Sequence, residues 1–282
     1  MIQGSCLCKS VRWQYAGALE RITHCHCQMC RKSHGTAFGS YAIGSKQLFA
    51  FTDGHDQVVQ FESSPGFIRS FCGNCGSIVP NVDLGDIVAM PAGGLEGDLG
   101  LEPGAHIFAR WKAPWHAITD SLQQHDNYPG EAEPAVDRPS AAPSSDGVIR
   151  GSCLCNEVQF ELTGEFSSVH YCHCSRCRKA CAAAHSTNGF TDIGNLKITR
   201  GSSALVTFRL PDTRFFSQCF CSRCGSTMPQ SLESLGLAMV PFGALDDDPK
   251  RAVDDHIYVG SKSTWYPITD ALPQYQERIT TN

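Results

Sequence analysis

Short stretches of alternating apolar and polar residues occur in both halves of the chain. Residues 11–15 and 158–162 place apolar side chains at every second position, which is the period of a strand with one buried face. Residues 58–61 and 205–208 are rich in β-branched and aromatic residues, and glycines separate such stretches. Only the residues after Cys30 and after Cys177, notably residues 178–184, suggest a helical turn. The pattern predicts a mostly β protein built of small sheets.

Three cysteine motifs each occur twice along the chain, in the same order. They are Gly-Ser-Cys-Leu-Cys at 4–8 and 151–155, Cys-His-Cys-x-x-Cys-Arg-Lys at 25–32 and 172–179, and Phe-Cys-x-x-Cys-Gly-Ser at 71–77 and 220–226. A repeat this long indicates two tandem domains and not a solenoid of small units. The duplication therefore sets the domain organisation.

The segment between the two copies has a composition that cannot build a core. Residues 126–147 contain four prolines among alanine, serine, aspartate and glutamate, which is typical of a semi-extended linker. We therefore expect a first domain at residues 1–125 and a second at residues 148–282.

Composition and charge narrow the classes of function. The formal net charge of -5 gives no basic field for gathering phosphates, so nucleic acid is not expected as a partner. No apolar run approaches the ~20 residues of a membrane helix, and the N-terminus has neither the basic start nor the apolar stretch of a secretory signal. Sixteen cysteines in such a chain favour metal binding over disulfides. We expect a soluble protein of the reducing cytoplasm.

Each copy carries a framework of seven cysteines, which divides as four plus three. Thiolates favour zinc, and a structural zinc is usually closed by four ligands. Two short chelates, far apart in sequence, can pin the first strand to the later Cys-x-x-Cys knuckle. The predicted closed sites are Cys6, Cys8, Cys72 and Cys75 in the first copy, and Cys153, Cys155, Cys221 and Cys224 in the second.

The remaining three cysteines of each copy lie within six residues of one another. A zinc with three protein ligands and one free position is the usual catalytic arrangement. The predicted open sites are Cys25, Cys27 and Cys30 in the first copy, and Cys172, Cys174 and Cys177 in the second. The sequence thus predicts two zinc ions per domain, about four per chain.

A fourth ligand for the open sites is available in the sequence. His34 and Cys181 occupy equivalent places, four residues after the third cysteine, and a helix there would turn them to the same face. Either residue would then close its shell and leave a purely structural ion. His26 and His173 are weaker candidates, because alternation in an extended segment points them away from the flanking cysteines.

Two kinds of charged residue near these motifs have two interpretations each. Arg31, Lys32, Arg178 and Lys179 are candidates for capturing the carboxylate of a ligand, or they are solvated charge pairs. Asp120 and Asp270 are candidates for binding a ligand amine, or they cap the turn that follows each of them.

The ordered motifs resemble the glutathione-dependent formaldehyde-activating enzyme family, to which centromere protein V also belongs. The segment at residues 256–270, from His-Ile-Tyr to Ile-Thr-Asp, is also typical of that family, and the resemblance covers both halves without the linker. It implies two β-tent domains of small antiparallel sheets. It also implies that the four-cysteine zinc is structural and that the three-cysteine zinc lies at the active site.

The resemblance further implies an activity. Members of the family are described as condensing glutathione with formaldehyde to S-hydroxymethylglutathione, and they are classed as carbon–sulfur lyases for the reverse reaction. The expected partners are therefore a small-molecule thiol, with glutathione as co-substrate, and a small aldehyde. The alternatives are a binding module in which every zinc is structural, and chromatin association in the manner of centromere protein V. The acidic charge of this chain disfavours chromatin association.

The two copies depart from the family pattern in different places. Gly35 supplies the glycine that usually follows Arg-Lys, whereas Ala182 replaces it in the second copy. Residues 109–112 lose the Gly-Ser that the second copy keeps at residues 260–261. Either one half alone is catalytic, or the two halves face each other and share a cleft.

Overall fold

The computed structural model describes residues 1–130, 147–211, 213–214 and 216–279, so most of the expected linker, 131–146, lies outside the described residues. We refer to residues 1–130 as the first half and to residues 147–279 as the second half. The first half contains one helix and eleven strands: α1 (Gln28–His34), β1 (Ile2–Ser5), β2 (Arg12–Tyr15), β3 (Arg21–Cys25), β4 (Gly39–Ser45), β5 (Phe49–Asp53), β6 (Val58–Ser64), β7 (Phe67–Cys72), β8 (Asn81–Leu84), β9 (Ile87–Pro91), β10 (Pro103–Ile107) and β11 (Gln123–His125).

The described part of the second half has one helix and ten strands. They are α2 (Ser175–Cys181), β12 (Ile149–Ser152), β13 (Gln159–Leu162), β14 (Ser168–Cys172), β15 (Ser186–Asp192), β16 (Leu196–Arg200), β17 (Leu205–Arg209), β18 (Ser217–Cys221), β19 (Gln230–Leu232), β20 (Leu237–Pro241) and β21 (Asp255–Ile257). Short 3₁₀ turns connect the strands at Lys46–Leu48, His55–Gln57, Ala92–Gly94, Ala109–Trp111, Ile193–Asn195, Ser202–Ala204, Glu233–Leu235, Phe242–Ala244 and Val259–Ser261.

The two halves repeat the same three sheets. The first half has the small sheet β1-β2-β5, the hairpin β6-β7, and a larger sheet in the order β11-β10-β3-β4-β9-β8. The second half has β12-β13-β16, the hairpin β17-β18, and a larger sheet in the order β19-β20-β15-β14-β21. The prediction of a mostly β fold made of small antiparallel sheets is confirmed. The larger sheets add parallel pairs that the prediction lacked, β3 with β10 and β14 with β21.

Both helices begin and end in the same way. The thiol of Cys27 accepts a hydrogen bond from the backbone N–H of Cys30, so a metal-binding residue also serves as the N-cap. α1 ends at Gly35 with φ 67°, and α2 ends at Ala182 with φ 52°. The left-handed backbone is thus retained where the second copy lacks glycine, although it costs a non-glycine residue about 1 kcal/mol.

Each hydrophobic core contains side chains from the opposite half. Trp265 is only 2% exposed and packs with the core of the first half, around Trp13 and Met90. Trp115 packs in return against the core of the second half, with its ring 5.3 Å from that of Phe242. The two repeats therefore pack against each other, and each contributes a tryptophan to the core of the other.

Glycines allow the backbones of the two halves to approach closely. A Cβ atom on Gly93 would lie 2.2 Å from the carbonyl oxygen of Ala183, and one on Gly243 would lie 2.3 Å from that of Arg31. Each glycine lies in a 3₁₀ turn against the C-terminal end of the opposite half's helix, so any side chain there would push the halves apart.

Candidate metal centres

The four-cysteine groups lie where the first hairpin meets the later Cys-x-x-Cys knuckle. In the first half the sulfurs of Cys6, Cys8, Cys72 and Cys75 all lie within 4.8 Å of one another. The backbone N–H of Leu7 donates to Ser77 Oγ at 3.1 Å, which ties the two chain segments together beside the sulfurs. The second half repeats the group with Cys153, Cys155, Cys221 and Cys224.

The spacing of these sulfurs fits a tetrahedral metal ion. The Sγ atoms of Cys6 and Cys8 are 3.4 Å apart, and those of Cys8 and Cys72 are 3.7 Å apart. A tetrahedron of sulfurs around zinc has edges of about 3.8 Å, since each Zn–S bond is about 2.3 Å. The interaction with Cys6 lowers the pKa of Cys72, which favours the thiolate form that binds a metal.

The three-cysteine groups lie at the start of each helix. Cys25 ends strand β3, Cys27 caps α1, and Cys30 lies in its first turn, so the turn gathers three sulfurs within 4.8 Å. In the second half Cys172, Cys174 and Cys177 occupy the same positions on β14 and α2. Soft thiolates in such a cluster suit zinc, and the donor set leaves one tetrahedral position for another ligand.

The structure places both candidate fourth ligands outside these groups. His34 Nδ1 is 2.6 Å from the carbonyl oxygen of Cys181 in the opposite half, and its Nε2 is 2.7 Å from the Tyr41 hydroxyl. Both ring nitrogens of His34 are therefore occupied by protein. Burial raises the pKa of the Cys181 thiol to about 12, and its sulfur does not belong to the group formed by Cys172, Cys174 and Cys177. Among the described residues, each of these groups consists of three donors.

The histidines inside the Cys-His-Cys motifs point away from the sulfurs and into a hydrogen-bonded chain. His26 Nε2 is 2.7 Å from His106 Nδ1, and His106 Nε2 donates to the Asp120 carboxylate at 3.0 Å. Because a carboxylate only accepts, His106 donates from Nε2 and accepts a hydrogen bond at Nδ1 from the Nε2–H group of His26. The chain fixes the loop that carries Cys25 and Cys27.

The second half has the same chain, formed by His173, His256 and Asp270. Asp120 and Asp270 also accept from the backbone N–H two residues later, as expected of a capping residue. His106 and His256 were missed as site residues, although their repeated His-Ile context was visible in the sequence.

The lysines of the Arg-Lys pairs form ion pairs with carboxylates of the opposite half. Lys32 Nζ lies 2.5 Å from the Asp246 carboxylate and 2.6 Å from Ser152 Oγ, both in the second half. Lys179 Nζ correspondingly reaches Glu96 at 2.6 Å in the first half. Each lysine side chain therefore crosses to the opposite repeat and helps hold the halves together, and capture of a ligand carboxylate by these residues stays a prediction.

The arginines of the same pairs are also held by the protein. Arg178 donates to Ser263 Oγ at 2.8 Å and to the carbonyl oxygen of Ser261 at 3.2 Å. Arg31 is 5% exposed, which places it in the interior and not on a solvated face. The arginines that follow the third cysteine of each group therefore make their described contacts within the protein.

Arg69 is a buried cation of the first three-cysteine group that the sequence did not single out. Its two Nη atoms each lie 3.7 Å from Cys30 Sγ, and the residue is 7% exposed. The proximity of Cys30 raises the pKa of Arg69 despite its burial. In the second half the same strand position holds Gln218, whose amide donates to Thr227 instead.

The two three-cysteine groups therefore have different surroundings. Three residues around the first group differ from their equivalents in the second half. They are His34, Tyr41 and Arg69, which correspond to Cys181, Asn188 and Gln218. A guanidinium that donates to a thiolate offsets part of its negative charge. Only the first group among the described residues has this buried compensation.

We expect Arg69→Gln, which installs the residue of the second half, to lower the free energy of unfolding by about 3 kcal/mol. The substitution removes the buried cation that faces Cys30. Denaturant unfolding of the zinc-loaded protein measures the effect. Arg200→Gln, at an exposed position of β16, serves as the control and should change stability by less than about 0.5 kcal/mol. Equal losses for the two variants would contradict the pairing of Arg69 with Cys30.

Fold and site together define a class of protein: a duplicated, mostly β chain in which each repeat presents one four-cysteine and one three-cysteine group able to hold a metal ion. A family model for the glutathione-dependent formaldehyde-activating enzyme matches residues 1–111 and 148–261, so both repeats are covered. The chain belongs to this family.

No curated protein matches the chain significantly. A crystal structure of a Rhodobacter sphaeroides protein, from a structural genomics programme, is similar at 25% sequence identity and a TM-score of 0.29. That match covers 34% of this chain and 86% of the other. Within the described residues, no helix has both the length and the apolar character needed to cross a membrane.

Proposed function

We propose that the chain is a zinc-dependent carbon–sulfur lyase or synthase that adds a thiol, glutathione, to a small aldehyde. The observation that carries the proposal is the pair of three-cysteine groups, each of which has three thiol donors and no fourth among the residues that the structure describes. Membership of a family described as glutathione-dependent and formaldehyde-activating supports the choice of thiol and aldehyde.

The reaction forms one carbon–sulfur bond. The thiol sulfur adds to the carbonyl carbon, and the thiol proton ends on the former carbonyl oxygen, so no oxidant or reductant is needed. When bound, zinc lowers the pKa of a coordinated thiol and polarises an aldehyde oxygen. In the first half Cys25, Cys27 and Cys30 would hold the ion, and in the second half Cys172, Cys174 and Cys177 would do so.

Other residues of the first half prepare the site for this addition. Arg69 donates to Cys30 and so offsets the negative charge that three thiolates gather in a buried space. The hydrogen-bonded chain from Asp120 through His106 to His26 holds the cysteine loop in one orientation. No side chain needs to act as a general base, because the proton of a thiol is already labile near neutral pH.

Zinc absorption-edge spectroscopy with and without glutathione tests the proposal. If all four groups are loaded, zinc has about 3.5 sulfur neighbours on average, and glutathione should raise that number towards 4. S-methylglutathione is the matched control, because its blocked sulfur is a much weaker ligand and should leave the spectrum unchanged.

A shell of four protein ligands at every ion, unaltered by glutathione, would contradict the proposal. That result would favour the alternative, a binding module in which every zinc is structural. Formation of the hemithioacetal must also exceed the spontaneous rate of thiol addition in a direct assay with formaldehyde.

The same proposal includes the setting of the protein. All sixteen cysteines are free thiols in the structure, which agrees with a reducing cytoplasm. We retain the domain boundaries of 1–125 and 148–282, with 126–147 as the linker. About four zinc ions per chain follow from two groups in each half.

A further inference from the structure

Two clefts lie between the halves and are related by the duplication. The larger one, about 490 Å³, is lined from both halves by residues that include Lys112, Trp115, His116, Asp248, Lys250 and Arg251. We call it the cationic cleft. Its counterpart, about 210 Å³, is lined by residues that include His24, Glu102, Asp120 and Tyr266, and we call it the acidic cleft.

The two clefts have opposite charge. Three cations and one carboxylate line the cationic cleft, whereas two carboxylates and no lysine or arginine are among the described residues lining the acidic cleft. The repeat alignment places Lys250 on Gly100 and Arg251 on Leu101, while Glu102 falls on Ala252. The charges at these three positions therefore differ between the two copies.

Lys250 occupies a backbone position that suits glycine. Its φ is 50°, and its N–H donates to Asp248 Oδ1 at 2.9 Å. Gly100 makes the same turn with φ 65° and an N–H bond of 3.0 Å to Asp98. A non-glycine residue pays about 1 kcal/mol in this region, so the turn itself gives no reason for a lysine.

The cations of this cleft are accessible to a ligand. Lys250 pairs with Asp248 at 2.9 Å, but its side chain is 78% exposed, and such surface pairs contribute little. Arg251 pairs with Asp254 at 2.7 Å and is partly exposed. Lys112 has no carboxylate within ion-pair distance among the described residues. An incoming carboxylate can thus compete for or complete these pairs.

The cationic cleft adjoins the first three-cysteine group. Its wall residue His116 stacks on His26, with ring centroids 5.7 Å apart, and His26 lies between Cys25 and Cys27. Trp111, the residue before Lys112, packs against the cluster of Cys25, Cys27, Cys30, Ile107 and Phe108. The cleft and the loop that carries Cys25 and Cys27 are therefore connected through the stacked rings of His116 and His26.

We propose that the cationic cleft binds the carboxylates of an acidic thiol substrate. The inference rests on the proposed function for the identity of the thiol. The volume of the cationic cleft lies within the range of about 300–1,000 Å³ that holds small ligands, whereas the volume of the acidic cleft falls below that range.

Calorimetric titration of the zinc-loaded chain with S-methylglutathione tests the cleft without use of the thiol. We expect the double variant Lys250→Gly and Arg251→Leu, which installs the residues of the first half, to weaken binding at least tenfold. Glycine relieves the strained backbone, so the variant should fold at least as well as the parent chain. Binding to the parent chain should also weaken as salt is raised.

Glu102→Ala, which installs the residue of the second half in the acidic cleft, is the matched control. It should leave the affinity for S-methylglutathione within about twofold. Unchanged affinity in the double variant, or no binding to the parent chain, would overturn the inference. Normal binding of S-methylglutathione without any enhancement of thiol addition would instead refute the proposed function. The inference that the cationic cleft binds carboxylates would then still hold.

Discussion

Replacing Cys72 with serine is expected to remove the metal from the first four-cysteine group and to unfold much of the first half. Cys72 ends β7 and joins the knuckle to the first hairpin, so its loss disconnects two distant chain segments. Structural zinc in small domains contributes about 10 kcal/mol, which is comparable with the entire stability of a domain. Zinc content should fall by about one ion per chain, and the thermal midpoint by more than about 10 °C.

Cys219→Ser is the matched control for this experiment. Cys219 lies two residues before Cys221 on β18 and belongs to none of the four groups, and the first half has Ser70 at the same position. Its zinc content should therefore stay unchanged, with only a small loss of stability. If Cys72→Ser and Cys219→Ser behave alike, the four-cysteine group does not carry a structural metal.

The cysteine groups could be anticipated because their chemistry is local. Cys25, Cys27 and Cys30 lie within six residues, and a single turn at the start of a helix brings their sulfurs together. The longer pairing of Cys6 with Cys72 followed from the number of ligands that zinc requires. The spacing of the cysteines and the coordination number of zinc were sufficient to predict these residues, with no knowledge of tertiary packing.

The contacts between the halves could not be anticipated in this way. Lys32 pairs with Asp246 across the repeats, and nothing in the local sequence of Lys32 identifies a partner more than two hundred residues away. Arg69 was missed for the same reason, because a β6-β7 hairpin brings it under Cys30 without any motif. Residues whose partners depend on tertiary packing leave no periodic signal.

The departures from the family pattern proved to be conservative in backbone terms. Ala182 takes the left-handed conformation of Gly35, and the equivalent residues Phe108 and Tyr258 have φ values of 56° and 58°. The 3₁₀ turns Ala109–Trp111 and Val259–Ser261 correspond even though one lacks Gly-Ser. The sequence differences therefore alter side-chain chemistry around the sites and leave the scaffold intact.

Asymmetry of the surroundings, more than loss of either scaffold, distinguishes the two halves. The first three-cysteine group has the buried cation Arg69 and the neighbouring cationic cleft, while the second has Gln218 and no cation at that position. Since both features favour an anionic thiol beside a set of thiolates, we assign most of the proposed activity to the first half.

Cys27→Ser is accordingly expected to lower kcat/KM for thiol addition by at least about 100-fold, whereas Cys174→Ser lowers it by no more than about threefold. Both residues cap their helices and belong to equivalent groups, so the two variants differ in the half they affect and not in the kind of ligand removed. Steady-state rates corrected for the spontaneous reaction measure the difference. Zinc content should fall by about one ion in each variant, and circular dichroism should show that each remains folded.

Cys219→Ser, outside all four groups, should keep the activity of the parent chain and shows that a cysteine replacement alone has no effect. Equal partial losses in Cys27→Ser and Cys174→Ser would mean that both halves work, and the assignment to the first half would be wrong. Retained activity in Cys27→Ser with a full loss in Cys174→Ser would transfer the assignment to the second half, because each variant removes a ligand from one group only. The two matched serine replacements thus decide which copy of the duplicated site performs the chemistry.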